Sequence, residues 1–291
     1  MTILINTPNG NIGRPLAEAL LAAGESIVVI QRDPSKVADL AARGVRVVAG
    51  SIDDAATLER AFEGVDHMFW LTPPNYSPTY AEWTSSTAKT AAAVAAKAGV
   101  KRVVVLSSVG AHNDGNGPVT LMRHVEEAFR AQLPNVLALR PAYFMENFVR
   151  DLGTIKTDGA WYMTVAADDK LPLVATRDIA AVAAEELRAP WSGHRIRGIH
   201  GPADVSMSEV AGILTGVLEK NVSFVSVPVA AALDGMRGAG VPEFVVTLYR
   251  GMFEGLANGR MAPAEPRSRE TTTPTTFATF AREVLRPAFA D

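Results

Sequence analysis

The strongest constraint in this sequence is an alternation. Through the first half, short β-branched and apolar runs take turns with longer stretches of helical spacing. Thr2–Asn6, Ser26–Gln31, Val45–Ala49, His67–Leu71, Arg102–Ser107 and Val136–Leu139 read as strands. They are nearly continuous in Val, Ile, Leu and Phe rather than alternating with polar residues, as strands covered by helices on both faces are. The helices between them have readable ends. Ile12, Leu16 and Leu20 recur every four residues before Gly24, and Asp33-Pro34 places a cap before a first-turn proline, with Gly44 as the stop. Leu58, Ala61 and Phe62 make the next apolar face, closed by Gly64, and an Ala-rich stretch from Tyr80 to Ala98 is closed by Gly99. Strands alternating with helices imply right-handed crossovers and an α/β fold with a doubly wound parallel sheet.

After Pro141 the pattern loosens. Gly, Asp and Lys scatter through Gly153–Lys170, then Asp178–Leu187 reads as a helix and Arg195–His200 as a strand. Ser206-Met207-Ser208-Glu209 is a capping box opening a helix to about Leu218. Ser223–Val227 reads as a further strand, and a last helix begins near Pro274 and uses Phe277, Phe280 and Val284. The expected organisation is one domain over residues 1–150 and a smaller mixed region over residues 151–291, packed on it.

Composition removes several function classes. The chain has no cysteine, which excludes disulfides, thiolate metal sites and a cysteine nucleophile, and fits a reducing compartment. A net charge of −3 argues against a general nucleic-acid surface. No apolar run reaches the roughly 18 residues of a membrane span. Met1–Ile5 lead straight into a strand, without the basic start and cleavage site of a signal peptide. The expectation is a soluble, cytoplasmic protein. The histidines at positions 67, 112, 124, 194 and 200 show no ligand spacing, so no metal site is expected.

The first strand-to-helix turn carries the clearest chemistry. Gly10 and Gly13 in Asn6-Thr7-Pro8-Asn9-Gly10-Asn11-Ile12-Gly13 have the spacing of a dinucleotide loop, with Thr7 where a first glycine is expected. Such a loop brings the backbone close to a diphosphate, which lies on the N–H groups and positive dipole of the helix start. The second strand ends in Gln31-Arg32-Asp33-Pro34-Ser35-Lys36. A free ribose 2′-hydroxyl wants a carboxylate at this point, whereas a 2′-phosphate wants cations. Arg32 and Lys36 bring two cations to one helix start, and Asp33 reads as the cap before Pro34. NADP(H) is therefore expected ahead of NAD(H).

With these residues in view the chain resembles the NmrA-like branch of the atypical short-chain dehydrogenase/reductases over nearly its whole length. The resemblance rests on Asn6–Gly13, Arg32–Lys36, Gly64-Val65-Asp66, Ala98-Gly99-Val100, Leu106–Gly110, Arg140–Asn147 and Thr176–Ala180. It implies a Rossmann-like domain, a small C-terminal substrate region and a bound NAD(P)(H). By position it implies that Thr7, Asn9, Gly10, Asn11, Ile12 and Gly13 line the diphosphate and that Arg32 and Lys36 meet the adenosine phosphate. Ser51 and Ile52 would flank adenine, although many relatives have aspartate where Ser51 stands. Leu71, Thr72 and Pro73 would pass over the cofactor. Ser107, Tyr143 and Phe144 would lie near the nicotinamide.

The acid of the main short-chain enzymes is missing. None of Tyr76, Tyr80, Tyr143, Tyr162 and Tyr249 has a lysine four residues on. Arg123 and Glu127, in the helix after the fifth strand, have the spacing of a supporting ion pair. Tyr143, Tyr80 and His124 are the candidate acids, with His112 a further titratable neighbour. Trp70, Trp83 and Phe144 fit either a core or a ring-binding platform. No Gly-x-Ser-x-Gly elbow supports hydrolysis. Two functions stay open: an NADPH-dependent reductase of quinone-like or other conjugated small acceptors, and an NADP(H) redox sensor acting on a partner protein. The first leads, because the loop Pro73–Pro78 and the stretch Arg140–Phe148 suit a substrate pocket.

Overall fold

The computed structural model describes residues 1–290. The first half runs β1 (Thr2–Ile5), α1 (Gly13–Ala22), β2 (Ser26–Gln31), α2 (Ala38–Ala42), β3 (Arg46–Ala49), α3 (Ala55–Phe62), β4 (His67–Leu71), α4 (Tyr80–Lys97), β5 (Arg102–Leu106), α5 (Pro118–Arg130) and β6 (Val136–Pro141). The chain continues through β7 (Tyr143–Phe144), α6 (Asn147–Asp158), β8 (Ala160–Met163), β9 (Lys170–Val174), α7 (Thr176–Arg188), β10 (His194–Ile199), β11 (Asp204–Ser206), α8 (Met207–Leu218) and β12 (Ser223–Ser226). It closes with α9 (Val229–Gly238), α10 (Glu243–Ala257), α11 (Phe277–Phe280) and α12 (Arg286–Ala290).

Seven strands form the main parallel sheet, in the order β10-β6-β5-β4-β1-β2-β3. β1 pairs with β2 on one side and β4 on the other, so strand order reverses at β1/β4. In open sheets of this kind, ligands bind beyond the carboxyl ends of the strands at such a switch point. The expected doubly wound α/β fold is the observed one, with strand ends shifted by a residue or two from those read in the sequence.

The polypeptide divides into two units. The first comprises Met1–Ser108, Leu121–Arg140 and Ile179–Arg197; the second comprises Val109–Thr120, Pro141–Asp178 and, among the described residues, 198–290. The sequence reading divides the chain once, near residue 150, whereas the polypeptide passes between these units several times. Each unit has its own core. In the first, Leu4, Val28, Met68, Trp70, Val103 and Phe129 pack with the alanine face of α4. In the second, Phe148, Trp161, Leu214, Phe277 and Phe280 form an aromatic-rich cluster, with Phe148 4.8 Å from Phe277 and 4.9 Å from Trp161 between ring centres.

Local differences from the sequence reading have physical causes. The helix begun by Asp33-Pro34 is a tight 3₁₀ turn over Pro34–Val37 before α2. Asp33 is its cap, accepting the Ser35 N–H at 3.1 Å. The loose stretch after Pro141 contains α6, whose buried face is Phe148, Leu152 and Ile155 and whose end is Gly159, left-handed at φ 65°. The capping box holds, with Glu209 N–H on Ser206 Oγ at 3.1 Å and Ser206 N–H on Glu209 Oε2 at 2.7 Å. α9 and α10 fall where the sequence reading assigned nothing.

The close approach of α1 to the end of β1 is decided at one position. A Cβ on Gly13 would stand 1.9 Å from the Thr7 carbonyl oxygen, while one on Gly10 would meet nothing nearer than 3.7 Å. Gly13→Ala must displace the loop backbone and is expected to cost about 1–3 kcal/mol in chemical denaturation. Gly10→Ala is expected to leave the unfolding midpoint in place. Equal midpoints for the two variants would contradict this account of the turn.

Candidate functional site

Beyond the carboxyl ends of β1 to β4 the first unit opens into a cleft of about 650 Å³. Asn6 ties its floor together across the switch point. Its Nδ2 donates to the Leu71 carbonyl at 2.8 Å, and its Oδ1 accepts the Leu71 N–H at 2.9 Å. The walls include Thr7, Pro8, Asn9 and Gly10 from the glycine loop, and Ile30, Gln31 and Arg32 from the end of β2. Gly50, Ser51, Ile52 and Asp53 follow β3, and Leu71 and Pro73 to Tyr76 follow β4. Trp83, on the first turn of α4, completes the lining.

Several features in and beside this cleft suit an anionic ligand. α1 starts at Gly13 without a side-chain cap and with no acidic residue in its first turn, so its N-terminal dipole is not neutralised by the chain itself. The Thr7 hydroxyl is buried with no hydrogen-bond partner. Gly10 presents no side chain, and Arg32 stands exposed at the end of β2.

Of the residues expected to hold a dinucleotide, Thr7, Asn9, Gly10, Arg32, Ser51, Ile52, Leu71 and Pro73 come together in this cleft. Asn11 is exposed and Ile12 turns its side chain into the core. Gly13 shapes the turn, and Lys36 is exposed on the 3₁₀ turn without forming part of the cleft wall. Thr72 is buried, its hydroxyl accepting the Trp70 indole N–H at 3.0 Å. Asn6 and Asp53 carry no role in the sequence reading, which leaves Trp83 open between core and ring-binding platform, because their contacts reach across 65 and 30 residues.

Ser107, just after β5, belongs to a buried charged network in the first unit. Its hydroxyl donates to Glu126 Oε1 at 2.5 Å, and Arg140 donates to both Glu126 oxygens at 2.9 Å. Arg130 adds a second cationic group at 3.3 Å. The Ser107 proton is therefore committed to Glu126, and toward a ligand the hydroxyl offers lone pairs. Arg123 and Glu127 form the expected i, i+4 pair on α5, 3.7 Å apart. His124 is exposed on the same helix, and Tyr80 is buried, which raises its phenol.

Tyr143 and Phe144 form β7 in the second unit and are not among the cleft's lining residues. Burial pushes the Tyr143 phenol well above the ordinary tyrosine range, with the nearby Asp151 charge adding to it. Asn147 hydrogen-bonds this phenol, and Arg150 orients the amide by donating to Asn147 Oδ1 at 2.5 Å. Burial also raises the Asp151 carboxyl, to about 6. The sequence offered no signal for it, since a lone aspartate in a helix usually faces water.

Two outcomes follow. Glu126→Ala leaves the Arg140 guanidinium buried without its carboxylate, and is expected to cost about 3–5 kcal/mol in urea denaturation. A loss under about 1 kcal/mol would show that water replaces the carboxylate. Asp151 has a folded-state pKa above its unfolded value, so its contribution to stability is complete at low pH and is lost as pH rises through about 6. Asp151→Asn is expected to stabilise the protein at pH 8, by on the order of 1–2 kcal/mol, and to leave stability at pH 4 unchanged. The same gain at both pH values would contradict the raised carboxyl.

Comparison with known proteins gives the same picture of the chain. The NmrA-like family matches residues 1–259. An NAD(P)H azoreductase of Xenophilus azovorans is 31% identical over 245 residues, covering 83% of this chain and 82% of that one. Quinone oxidoreductase 2 of Escherichia coli is 23% identical over 261 residues, 88% of each chain. Among solved structures, an NADPH-dependent quinone oxidoreductase of Escherichia coli complexed with NADPH superposes with a TM-score of 0.84 at 21% identity, over 97% of this chain and 99% of that one. A fold with the β1/β4 switch point, a glycine loop without a first glycine and a match over most of the chain lead to one assignment: this protein belongs to the NmrA-like family.

Proposed function

We propose that this protein binds NADP(H) in the cleft beyond β1 to β4 and uses it to reduce a conjugated, quinone-like small molecule. The observation that carries the reading is the set of anion-suited features in and beside the cleft: the uncapped start of α1, the open face of Gly10, the unpartnered Thr7 hydroxyl and the Arg32 cation. In this reading the N–H groups at the start of α1 and the Thr7 hydroxyl hold the diphosphate, and Arg32 holds the 2′-phosphate, with Lys36 adding charge. When bound, the cofactor supplies a hydride.

The choice of acceptor follows from which acids the chain offers. An isolated ketone develops alkoxide charge on reduction and needs a donor beside it, worth about 10²–10⁴ in rate. Ser107 already donates its hydroxyl hydrogen bond to Glu126, Tyr80 is buried with its phenol raised, and His124 is exposed on α5. A quinone spreads the charge over its ring and takes its proton from water, so it tolerates this poverty of donors. The named activities of the azoreductase and quinone oxidoreductase relatives, which act on conjugated groups, support the same class.

Three measurements test this. Steady-state NADPH oxidation against a panel of quinones, azo compounds and simple ketones is expected to show turnover with the conjugated members. Brisk ketone turnover, abolished by changing Tyr80, Tyr143 or His124, would refute the proposal and identify the acid. Cofactor binding without oxidation of any acceptor would place the protein in the sensor class. In calorimetric titration, replacing both Arg32 and Lys36 by Ala is expected to cost about 2–4 kcal/mol with NADPH and little with NADH. Equal losses with both cofactors would remove the 2′-phosphate from the assignment. Gly10→Val is expected to abolish binding in a folded protein, and normal binding by that variant would move the site elsewhere.

A further inference from the structure

We infer that His200 is an acid-sensitive latch in the second unit: when its imidazole takes up a proton, it releases the segment 265–275 that is bonded to it. The inference is independent of the cofactor reading above. The chain from Asn258 to Thr276 has no helix or strand of its own, and reaches α11 along the residues that follow β10. The His200 N–H donates to the Thr271 carbonyl at 2.7 Å, and the His200 carbonyl accepts the Thr273 N–H at 2.8 Å and the Thr273 hydroxyl at 3.0 Å. Arg267 donates to the Gly201 carbonyl and to Asp204. Thr275 then gives its N–H and its hydroxyl to Asp178, at 3.0 and 2.8 Å. No apolar residue from Asn258 to Thr276 is buried, so polar bonds hold this strap. A segment held in that way belongs to the low-stability end of a fold.

The side chain of the residue that carries these bonds makes the strap conditional. His200 is 2% exposed, and both ring nitrogens are buried without a hydrogen-bond partner, apart from a loose contact with the Glu265 backbone. A leucine would fill a similar space without two unanswered polar atoms, so packing alone gives no reason for an imidazole here. A Cβ on Gly198 would stand 3.0 Å from His200 Nε2 and 2.9 Å from the Glu265 Cβ. Ring and strap therefore both lie against that backbone, with no room there for a water. The charged groups that act on the ring are Arg267 and Glu265 of the strap and Asp204 of β11. Burial, followed by the Arg267 charge, holds the imidazole below the ordinary histidine range against the pull of the two carboxylates. It is neutral while the strap is closed, and charges once the strap opens and water reaches it. By linkage, a histidine with a lowered folded-state pKa keeps its contribution above the unfolded value of about 6.5 and loses it as pH falls below that value. If His200 only filled the core, acid would loosen the whole unit rather than the strap.

Hydrogen exchange of the full chain, followed by mass spectrometry and corrected for the intrinsic pH dependence of exchange, reads the opening of the strap. Between about pH 7.5 and about pH 5, opening over residues 262–275 is expected to rise on the order of tenfold, while α8 in the same unit keeps its protection. His200→Leu, which keeps the bulk and takes no proton, is expected to hold the strap equally at both pH values. If that variant does not fold, His200→Asn carries the same expectation. A wild-type strap whose opening ignores pH would overturn the latch. So would an acid opening that persists in the folded variant, or an acid response shared equally by α8.

Discussion

The geometry of the cleft depends on one close contact, that of the Gly13 backbone with the Thr7 carbonyl. Any side chain at position 13 forces the loop to move, because its Cβ would stand 1.9 Å from the oxygen, far inside van der Waals contact. The contact draws the start of α1 back over the end of β1 and leaves the helix without a side-chain cap. A helix start of this kind is costly unless water or a ligand satisfies its N–H groups. The Asn6 side chain then locks β1 to β4 just past their ends, so the cleft opens between backbones that cannot drift apart. The loop, the switch point and the cation at the end of β2 are consequences of how these first strands and helix pack.

A second constraint is electrostatic. Glu126 is fully buried and meets Ser107, Arg140 and Arg130. Burying a carboxylate is expensive unless every lone pair is answered, and here a bidentate guanidinium and a hydroxyl answer them. The arrangement joins the end of β5 to the end of β6 through α5, and it spends the Ser107 proton on structure. That is a physical reason for the proposed chemistry to favour acceptors that need no enzyme-bound acid.

Much of this was legible in the sequence. Continuous Val/Ile/Leu runs and glycine stops located β1 to β6 because parallel strands buried on both faces have few other ways to be written. The places of the glycine loop and Arg32 on the cleft wall were legible because they follow from local spacing at the ends of β1 and β2. Asn6, Asp53, Trp83, Glu126 and Asp151 were not, because each acts through a partner distant in the chain or through burial, which no local pattern encodes. α6 and the short strands after it were obscured by Gly153 and by the polar residues on the exposed face of α6. The division into units was similarly hidden, since the segments 121–140 and 179–197 join the first unit from beyond the second unit's first segment.

The central claim is that a hydride passes from bound NADPH to a conjugated acceptor. Single-turnover mixing of stoichiometric protein–NADPH complex with a substituted benzoquinone, followed at the nicotinamide absorbance, tests it most directly. One exponential decay is expected, with an amplitude equal to the bound cofactor and a rate far above that of the protein-free mixture. Tight NADPH binding with a decay no faster than the protein-free reaction would contradict it.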